Sequence, residues 1–466
     1  VNTSIMVKSR KNFYIAMFSI NLIGIGAGCT YSWTSPTLPK LLAPDSVLPI
    51  DHTTSSWIGS IYLIGATGGA VLGTLMFENF GYRKSFVVCS LLMLASWMSL
   101  ACLWSPYILY WGRFLGGLSF GMITLISPLF VAETSEDDLR GAMSAILLAN
   151  RCFGILLQYS IGPYVSYHAL IIFNAVFPVL FFLFFTWVPE SPYYLVNKNR
   201  RDEALESIIR IRGGISLDCA EILISNIQGF LDRTRNETKS LKNLVATPAT
   251  IKALLITMIV LALQQLSGMA AILTYTQQLF ELTGSSFSSS LSAILFGLAY
   301  TLGSAVGPLV AKRFGLRTPF IISGVLLFLL MFLLGVYLYF FIHGYDLTHF
   351  KWSPITCILV HGGIFNFSMG PAPWAIMGEM LPPNVKGQAS TIATCTCFLL
   401  AFVVTKLFPI LTEIIPNYFV FWMFGSFSLL ASLFVFLYVP NTKGLSLEEI
   451  QAKLQNSHAN KKRSPV

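Results

Sequence analysis

The sequence predicts an all-α membrane protein, with twelve transmembrane helices in two pseudo-symmetric six-helix halves joined by a cytoplasmic helical insert. Three observations carry this prediction. First, 55% of the 466 residues are hydrophobic, only 11% are charged, and the mean hydropathy is +0.68, which in a water-soluble chain of this length would leave a vast exposed apolar surface. Second, apolar runs of about 20 residues, enough to cross about 30 Å of hydrocarbon, recur twelve times. Third, a charge pattern is duplicated: Glu133…Arg140-Gly141 returns as Glu379…Lys386-Gly387, and Glu78-Asn79-Phe80-Gly81-Tyr82-Arg83 returns as Lys312-Arg313-Phe314-Gly315-Leu316-Arg317. Repeats of this size between apolar runs point to two transporter halves.

The runs fall at 13–34, 57–77, 85–104, 107–132, 141–162 and 167–188, then at 251–280, 287–311, 317–342, 352–379, 387–410 and 417–439. This divides the chain into a first half, 1–189, a linker, 190–250, a second half, 251–440, and a tail, 441–466. The linker holds Arg200-Arg201-Asp202-Glu203 and the spacing Leu205, Ile208, Ile209, which suits short amphipathic helices on a membrane face. Glycines at small-residue spacing in spans two and four (Gly65, Gly68, Gly69, Gly73; Gly112, Gly116, Gly117, Gly121) read as close helix packing.

Basic residues set the orientation. With both termini inside, the outer loops hold only Lys40 and Lys351, Arg113, Arg151 and Lys406 fall deep within spans, and the rest face the cytoplasm. The net charge of +9 follows from that basic face lying against anionic lipid, with no nucleic-acid partner required. The first apolar stretch is too long for a cleavable signal and reads as a retained anchor. The eight cysteines are scattered, most of them inside spans, so neither a disulfide framework nor a metal site is expected. Phosphate-cradling loops, paired in-span carboxylates and nucleophile–His–acid sets are missing, so an enzyme is not expected and no cofactor is called for.

The duplicated charges sit at the cytoplasmic ends of spans: Glu133 and Arg140 between four and five, Glu379 and Lys386 between ten and eleven, Arg83 and Arg317 after two and eight. Together with Glu190 they form a candidate gate, in which pairs across the two halves hold the cytoplasmic side shut and break when the halves rock apart.

Pro189-Glu190-Ser191-Pro192-Tyr193-Tyr194-Leu195, Gln264-Gln265-Leu266-Ser267-Gly268, Gly370-Pro371-Ala372-Pro373-Trp374 and Pro440-Asn441-Thr442-Lys443-Gly444 resemble the signatures of the sugar porter family of the major facilitator superfamily. Within it, Thr34-Ser35-Pro36, Met377-Gly378-Glu379 and Val404-Thr405-Lys406 are similar to the facilitated trehalose transporters of insects. The resemblance implies a mid-membrane cavity between the halves, an intracellular insert that braces the inward gate, and a sugar such as trehalose or a hexose as the small-molecule partner. Gln264, Gln265 and Trp374 match sugar-contacting positions. A glutamine amide offers donor and acceptor to a sugar's hydroxyls, and an indole covers the apolar face of a pyranose. The alternative for the glutamine pair is helix–helix bonding, but adjacent residues point about 100° apart on a helix, so at least one amide can face the cavity. Tyr275, Asn366 and Arg151 complete the candidate contacts.

The chain departs from the family pattern at Ala270, Cys397-Phe398 and Leu148, where amides or an indole are usual, and at Tyr82, Leu316, Lys312 and Asn441 in the loop motifs. Arg151 lies in mid-span on about the same face as Leu148, where an unpartnered cation costs several kcal/mol. This keeps open a carbonyl-bonded structural arginine, an anionic solute and a non-transporting sensor. Span one, Gly26-Ala27-Gly28-Cys29-Thr30-Tyr31, contains no acid, and His361 in span ten reads as structural, so passive facilitation is the expectation. The expected setting is a multi-pass protein of the plasma membrane, surrounded by lipid and with no obligate protein partner.

Overall fold

The computed structural model describes residues 10–46, 48–184, 188–235, 248–283, 287–381, 385–441, 443 and 449. Nearly all of the expected tail and the linker stretch 236–247 lie outside the described residues, and of Lys386 only the backbone is described.

Twelve helices are long and apolar enough to span a membrane. In the first half they are Lys11–Leu42, His52–Phe80, Tyr82–Ala101, Pro106–Thr134, Leu139–Ile161 and Tyr167–Phe184; in the second they are Pro248–Leu266, Ser289–Phe314, Arg317–Ile342, Thr348–Met380, Gly387–Ile414 and Asn417–Tyr438. Each overlaps an expected run, and large apolar side chains such as Phe18, Leu183, Leu309 and Phe436 remain exposed on the outside, where lipid is their solvent. All eight cysteines are free.

Two spans differ from the continuous helices expected. Span seven stops at Leu266 and resumes as Met269–Thr274 and Thr276–Leu282, because Gly268 adopts a left-handed φ of 85° that side-chain-bearing residues avoid. Span ten runs as Ser353–Ile364, a π-helical turn over Phe365–Met369, and Ala372–Met380. Pro371 and Pro373 follow that turn, and proline has no N–H to continue a helical ladder. Broken helices are tolerated at membrane depth only where other protein groups re-satisfy the backbone.

Glycine sets the contact between spans two and four. A Cβ on Gly117 would lie 2.0 Å from the Tyr62 carbonyl oxygen, one on Gly121 2.0 Å from that of Ala66, and one on Gly69 2.1 Å from that of Leu118. The backbones therefore touch with no side chain between them, as small-residue spacing implies. Spans one and five meet in the same way, through Gly28 and Gly154.

The two halves face each other through spans two and eleven (Thr74 Oγ1 to Thr391 Oγ1, 3.0 Å) and through five and eight (Thr301 Oγ1 to the Cys152 carbonyl, 3.2 Å). Within the insert, Pro192–Asn197, Arg201–Ile211 and Leu217–Arg235 pack on each other through Leu195, Ala204, Ile208, Ala220 and Ile224. They dock on the first half: Arg212 and Arg10 each lie 2.6 Å from Glu136, and Asn12 Nδ2 donates to the Arg210 carbonyl. The side carrying the insert is called the insert end below, and the opposite side the far end.

Gly117→Ala forces the span two–four backbones apart and lowers the melting temperature in detergent, at a cost of about 1–3 kcal/mol for overpacking. Gly141→Ala, with nothing within 4 Å of its Cβ position, leaves the melting temperature unchanged or slightly raised; equal losses for the two variants would contradict the packing assignment.

Candidate substrate cavity and its two ends

A cavity of about 270 Å³ lies between the halves at mid-span. Spans one, two, four and five line it from one side, and the broken spans seven and ten together with spans eight and eleven from the other. Its lining on spans four and five reaches toward the insert end through Ser127, Pro128, Ser144 and Leu147.

At the far end the halves are bolted together. Thr34 Oγ1 donates to the Thr274 carbonyl (3.1 Å), Tyr159 OH to that of Leu273 (2.7 Å), and the Gln277 N–H to Ser35 Oγ (3.2 Å). Lys406 Nζ lies 2.6 Å from Ser56 Oγ and 4.1 Å from the Trp57 ring centroid, so an in-span cation is satisfied across the halves by a hydroxyl and a π face. The cavity is thus closed at the far end and reaches toward the insert end.

The glutamine pair divides its labour. Gln264 is buried, and its Nε2 donates to the carbonyls of Met369 (2.8 Å) and Gly370 (2.6 Å). Met369 O is the acceptor that Pro373 leaves without a helical N–H, so Gln264 ties broken span seven to broken span ten. Gln265 is half-buried, its Nε2 reaching Gln264 Oε1 and Cys397 Sγ, each at 3.2 Å. Its carbonyl oxygen makes no hydrogen bond within the described residues and is the amide atom left to a ligand. The helix-bonding alternative thus describes Gln264, and the substrate alternative suits Gln265.

Asn366, in the π turn, is buried and bridges the halves: its Nδ2 donates to Cys152 Sγ (3.0 Å) and to the Tyr300 carbonyl (2.9 Å). Trp374 lines the cavity half-buried, 6.3 Å from Phe398. Phe398 in turn meets Phe120 across the halves at 5.8 Å, and Phe120 stacks on Tyr31 at 5.4 Å. This aromatic wall went largely unread in the sequence, because aromatic residues are frequent throughout the chain and nothing local marks Tyr31 or Phe120. Leu148, Ala270 and Phe398, the positions where amides or an indole were expected, all line the cavity.

Tyr275 is not among the residues of this cavity. It is 1% exposed, stacks on Phe408 at 5.7 Å, and its hydroxyl lies where a Cβ on Gly59 would be, 2.6 Å away. The turn after Thr274 swings it into the far-end closure, where it also borders a second, outer hollow with Gln278 and Glu281. Arg113 lies buried below the cavity, donating to the carbonyls of Ile58 (3.1 Å) and Thr30 (2.6 Å) with its guanidinium 4.3 Å from the Tyr62 ring. It is a tie between spans one, two and four, the carbonyl-bonded kind of in-span arginine.

Arg151 is different. Half-buried on the cavity wall, it is, among the described residues, the one charged residue lining the cavity, and its guanidinium makes no hydrogen bond, ion pair or ring contact with them.

At the insert end Glu133, Arg140, Glu190 and Arg317 each find a partner without crossing to the other half. Glu133 accepts hydrogen bonds from Tyr82 OH (2.7 Å) and from Ser191 Oγ, while Arg140 Nε donates to the Ala132 carbonyl (3.1 Å). Glu190 accepts the backbone N–H groups of Tyr82 (2.7 Å) and Arg83 (3.2 Å), capping the start of span three. Burial pushes its carboxyl up from the usual range, opposed by those N–H donors and by the Arg83 charge. In the second half the Tyr82 position is Leu316 and offers no hydroxyl. There Arg317 Nη2 donates to the Phe436 carbonyl (2.5 Å), and the buried Oε2 of Glu379 has no partner among the described residues. The two repeats therefore share a spacing but not a bonding pattern.

Gln264→Leu orphans two carbonyls and lowers thermal stability by about 1–3 kcal/mol, whereas Gln265→Leu keeps the melting temperature and raises the apparent KM. Equal thermal losses would contradict this division.

The matching family model, described as sugar (and other) transporter, covers residues 40–454. A facilitated trehalose transporter of Anopheles gambiae is 31% identical over 94% of this chain, which spans only 56% of that relative's length. A facilitated trehalose transporter homologue of Drosophila sechellia is 29% identical over 94% of this chain and 90% of its own. Among solved structures, the inward-open xylose transporter XylE of E. coli aligns with a TM-score of 0.78 at 21% identity, over 95% of this chain and 99% of that one. The proton:xylose symporter XylE bound to a bromodeoxyglucose aligns at 0.77 and 22% identity, over 95% and 100%. The twelve-helix architecture is therefore that of the major facilitator superfamily, and the chain belongs to the sugar transporter family.

Proposed function

We propose that this protein is a passive facilitator of a sugar, trehalose or a hexose, working by alternating access through the central cavity. The observation that carries this reading is the meeting of the free Gln265 carbonyl and the Trp374 indole in a cavity between two repeats, closed at one end. The amide and the flat ring are suited to a sugar's polar edge and apolar face. The relatives named as facilitated trehalose transporters support the substrate class. Among the described residues no carboxylate lines the cavity, which favours transport down the sugar gradient over a proton relay. The insert end, which gathers the basic residues, is cytoplasmic, both termini lie on that side, and the protein resides in the plasma membrane. The conformation is then inward-open, with the far-end hydrogen bonds as its outer lock.

The insert-end charges act as the opposing gate. Glu379, with a buried oxygen lacking a partner in this state, gains one when the cytoplasmic side closes, and Glu133, Arg140, Arg83, Arg317, Glu190 and Lys386 reorganise with it.

In oocytes with verified surface expression, labelled trehalose or glucose enters saturably and at the same rate at neutral and acid outside pH. Gln265→Ala raises the apparent KM by about 2–10-fold, the value of one hydrogen bond, and Trp374→Ala by at least as much. A wild-type protein at the surface that takes up neither sugar would overturn the facilitator reading, and acid-stimulated uptake its passive character.

Glu379→Gln slows sugar exchange while surface expression persists. Unchanged exchange in Glu379→Gln, Glu133→Gln and Arg83→Ala alike would remove the gate.

A further inference from the structure

The cavity's polar inventory is unbalanced for a neutral sugar. Among the described residues Arg151 is the one charged residue in the lining, and no acid lines the cavity with it. Its guanidinium, a planar fork of five N–H donors, makes no hydrogen bond or ion pair within the described residues. Two further hydroxyls on span four, Thr124 Oγ1 and Ser127 Oγ, line the same cavity, are buried, and have no partner among the described residues. Against this stands one free amide acceptor, the Gln265 carbonyl. Behind the wall, Arg113 adds a second positive charge that is bonded only to carbonyls and aromatic faces. The walls are aromatic and apolar, so the charge is only partly screened by solvent.

We infer that the cavity recognises a sugar acid: a pyranose-sized molecule carrying one carboxylate, held bidentately by Arg151, with its ring against the aromatic wall. A guanidinium half removed from water regains little from a neutral hydroxyl, whereas a carboxylate returns two charge-assisted hydrogen bonds, each about twice as strong as a neutral one. Arg113 is held by the Ile58 and Thr30 carbonyls, so Arg151 is the guanidinium with donors to spare, and its one planar fork matches one planar carboxylate. This deepens the sugar-facilitator reading and rests on it. Because no proton group in the cavity travels with the substrate, each molecule carries one net negative charge across the membrane.

The test is labelled D-glucuronate and D-glucose uptake in oocytes at neutral pH, with membrane current recorded. Wild type takes up glucuronate saturably, each entering molecule accompanied by one charge of outward current, and excess glucuronate inhibits glucose uptake. Arg151→Gln lowers the ratio of kcat/KM for glucuronate to that for glucose by about tenfold or more, as expected for loss of a bidentate charged pair. Arg151→Lys, which keeps the charge but not the fork, lies between. The ratio is independent of how much protein reaches the surface, and the wild-type competition and current stand even if the variants fail to fold. Saturable glucose uptake that excess glucuronate leaves untouched overturns the sugar-acid assignment and spares the sugar reading. Absence of uptake of both removes both, and uptake of glucose 6-phosphate in preference to glucuronate overturns the carboxylate. An unchanged ratio in Arg151→Gln overturns the role of Arg151.

Discussion

The hydrogen bonds from Gln264 to the carbonyls of Met369 and Gly370 are the interaction on which the rest of the cavity depends. In hydrocarbon, an unpaired backbone group costs several kcal/mol, so a helix is broken at membrane depth only where protein supplies the missing partner. Pro373 removes the N–H that Met369 would use, and the Gln264 amide replaces it; at the span-seven break, Ser267 Oγ donates to the Gln264 backbone carbonyl. With the breaks secured, Trp374 and Asn366 are carried to the cavity wall, and Gln265, one residue along, is left with an oxygen to offer.

Around this centre the first half is built on backbone contact. The glycine faces of spans two and four, and of one and five, leave no room for a side chain, so their relative positions are set by the main chain and move as a body. The halves meet through side chains instead: hydroxyls, a cysteine, an amide, and the Phe120–Phe398 and Lys406–Trp57 contacts. At the far end those groups are numerous and include the Lys406 cation, whereas the described insert-end carboxylates bond within the first half or, at Glu379, stay unpaired on one oxygen. Under the proposed alternating access, such an arrangement suits halves that rock about the cavity, with the far-end bonds and the insert-end charges exchanging roles.

The asymmetry of the two repeats bears on the energetics of that exchange. Glu133 is bonded by the Tyr82 and Ser191 hydroxyls, which gives it hydrogen bonds without a cationic partner to desolvate. Leu316 denies Glu379 the equivalent hydroxyl. The first half is accordingly braced against the insert through Glu190 and Glu136, whereas the second half leaves the buried Glu379 Oε2 without a partner among the described residues.

The chain by itself determined the twelve spans, the insert, the glycine interfaces, the family signatures and the presence of a cation in mid-span. These follow from length, hydropathy and short spacings, which depend on residues near in sequence. The tertiary structure alone decided which of two adjacent glutamines is structural and which is free. It also decided that Tyr275 belongs to the far-end closure, that Arg113 is carbonyl-bonded while Arg151 faces the cavity, and that duplicated acids bond differently. Each of those outcomes turns on the rotation of a helix, on a break of one residue at Gly268 or Pro371, and on which end of the two halves is shut. None of these is encoded in the local pattern, because partners distant in the chain fix each one.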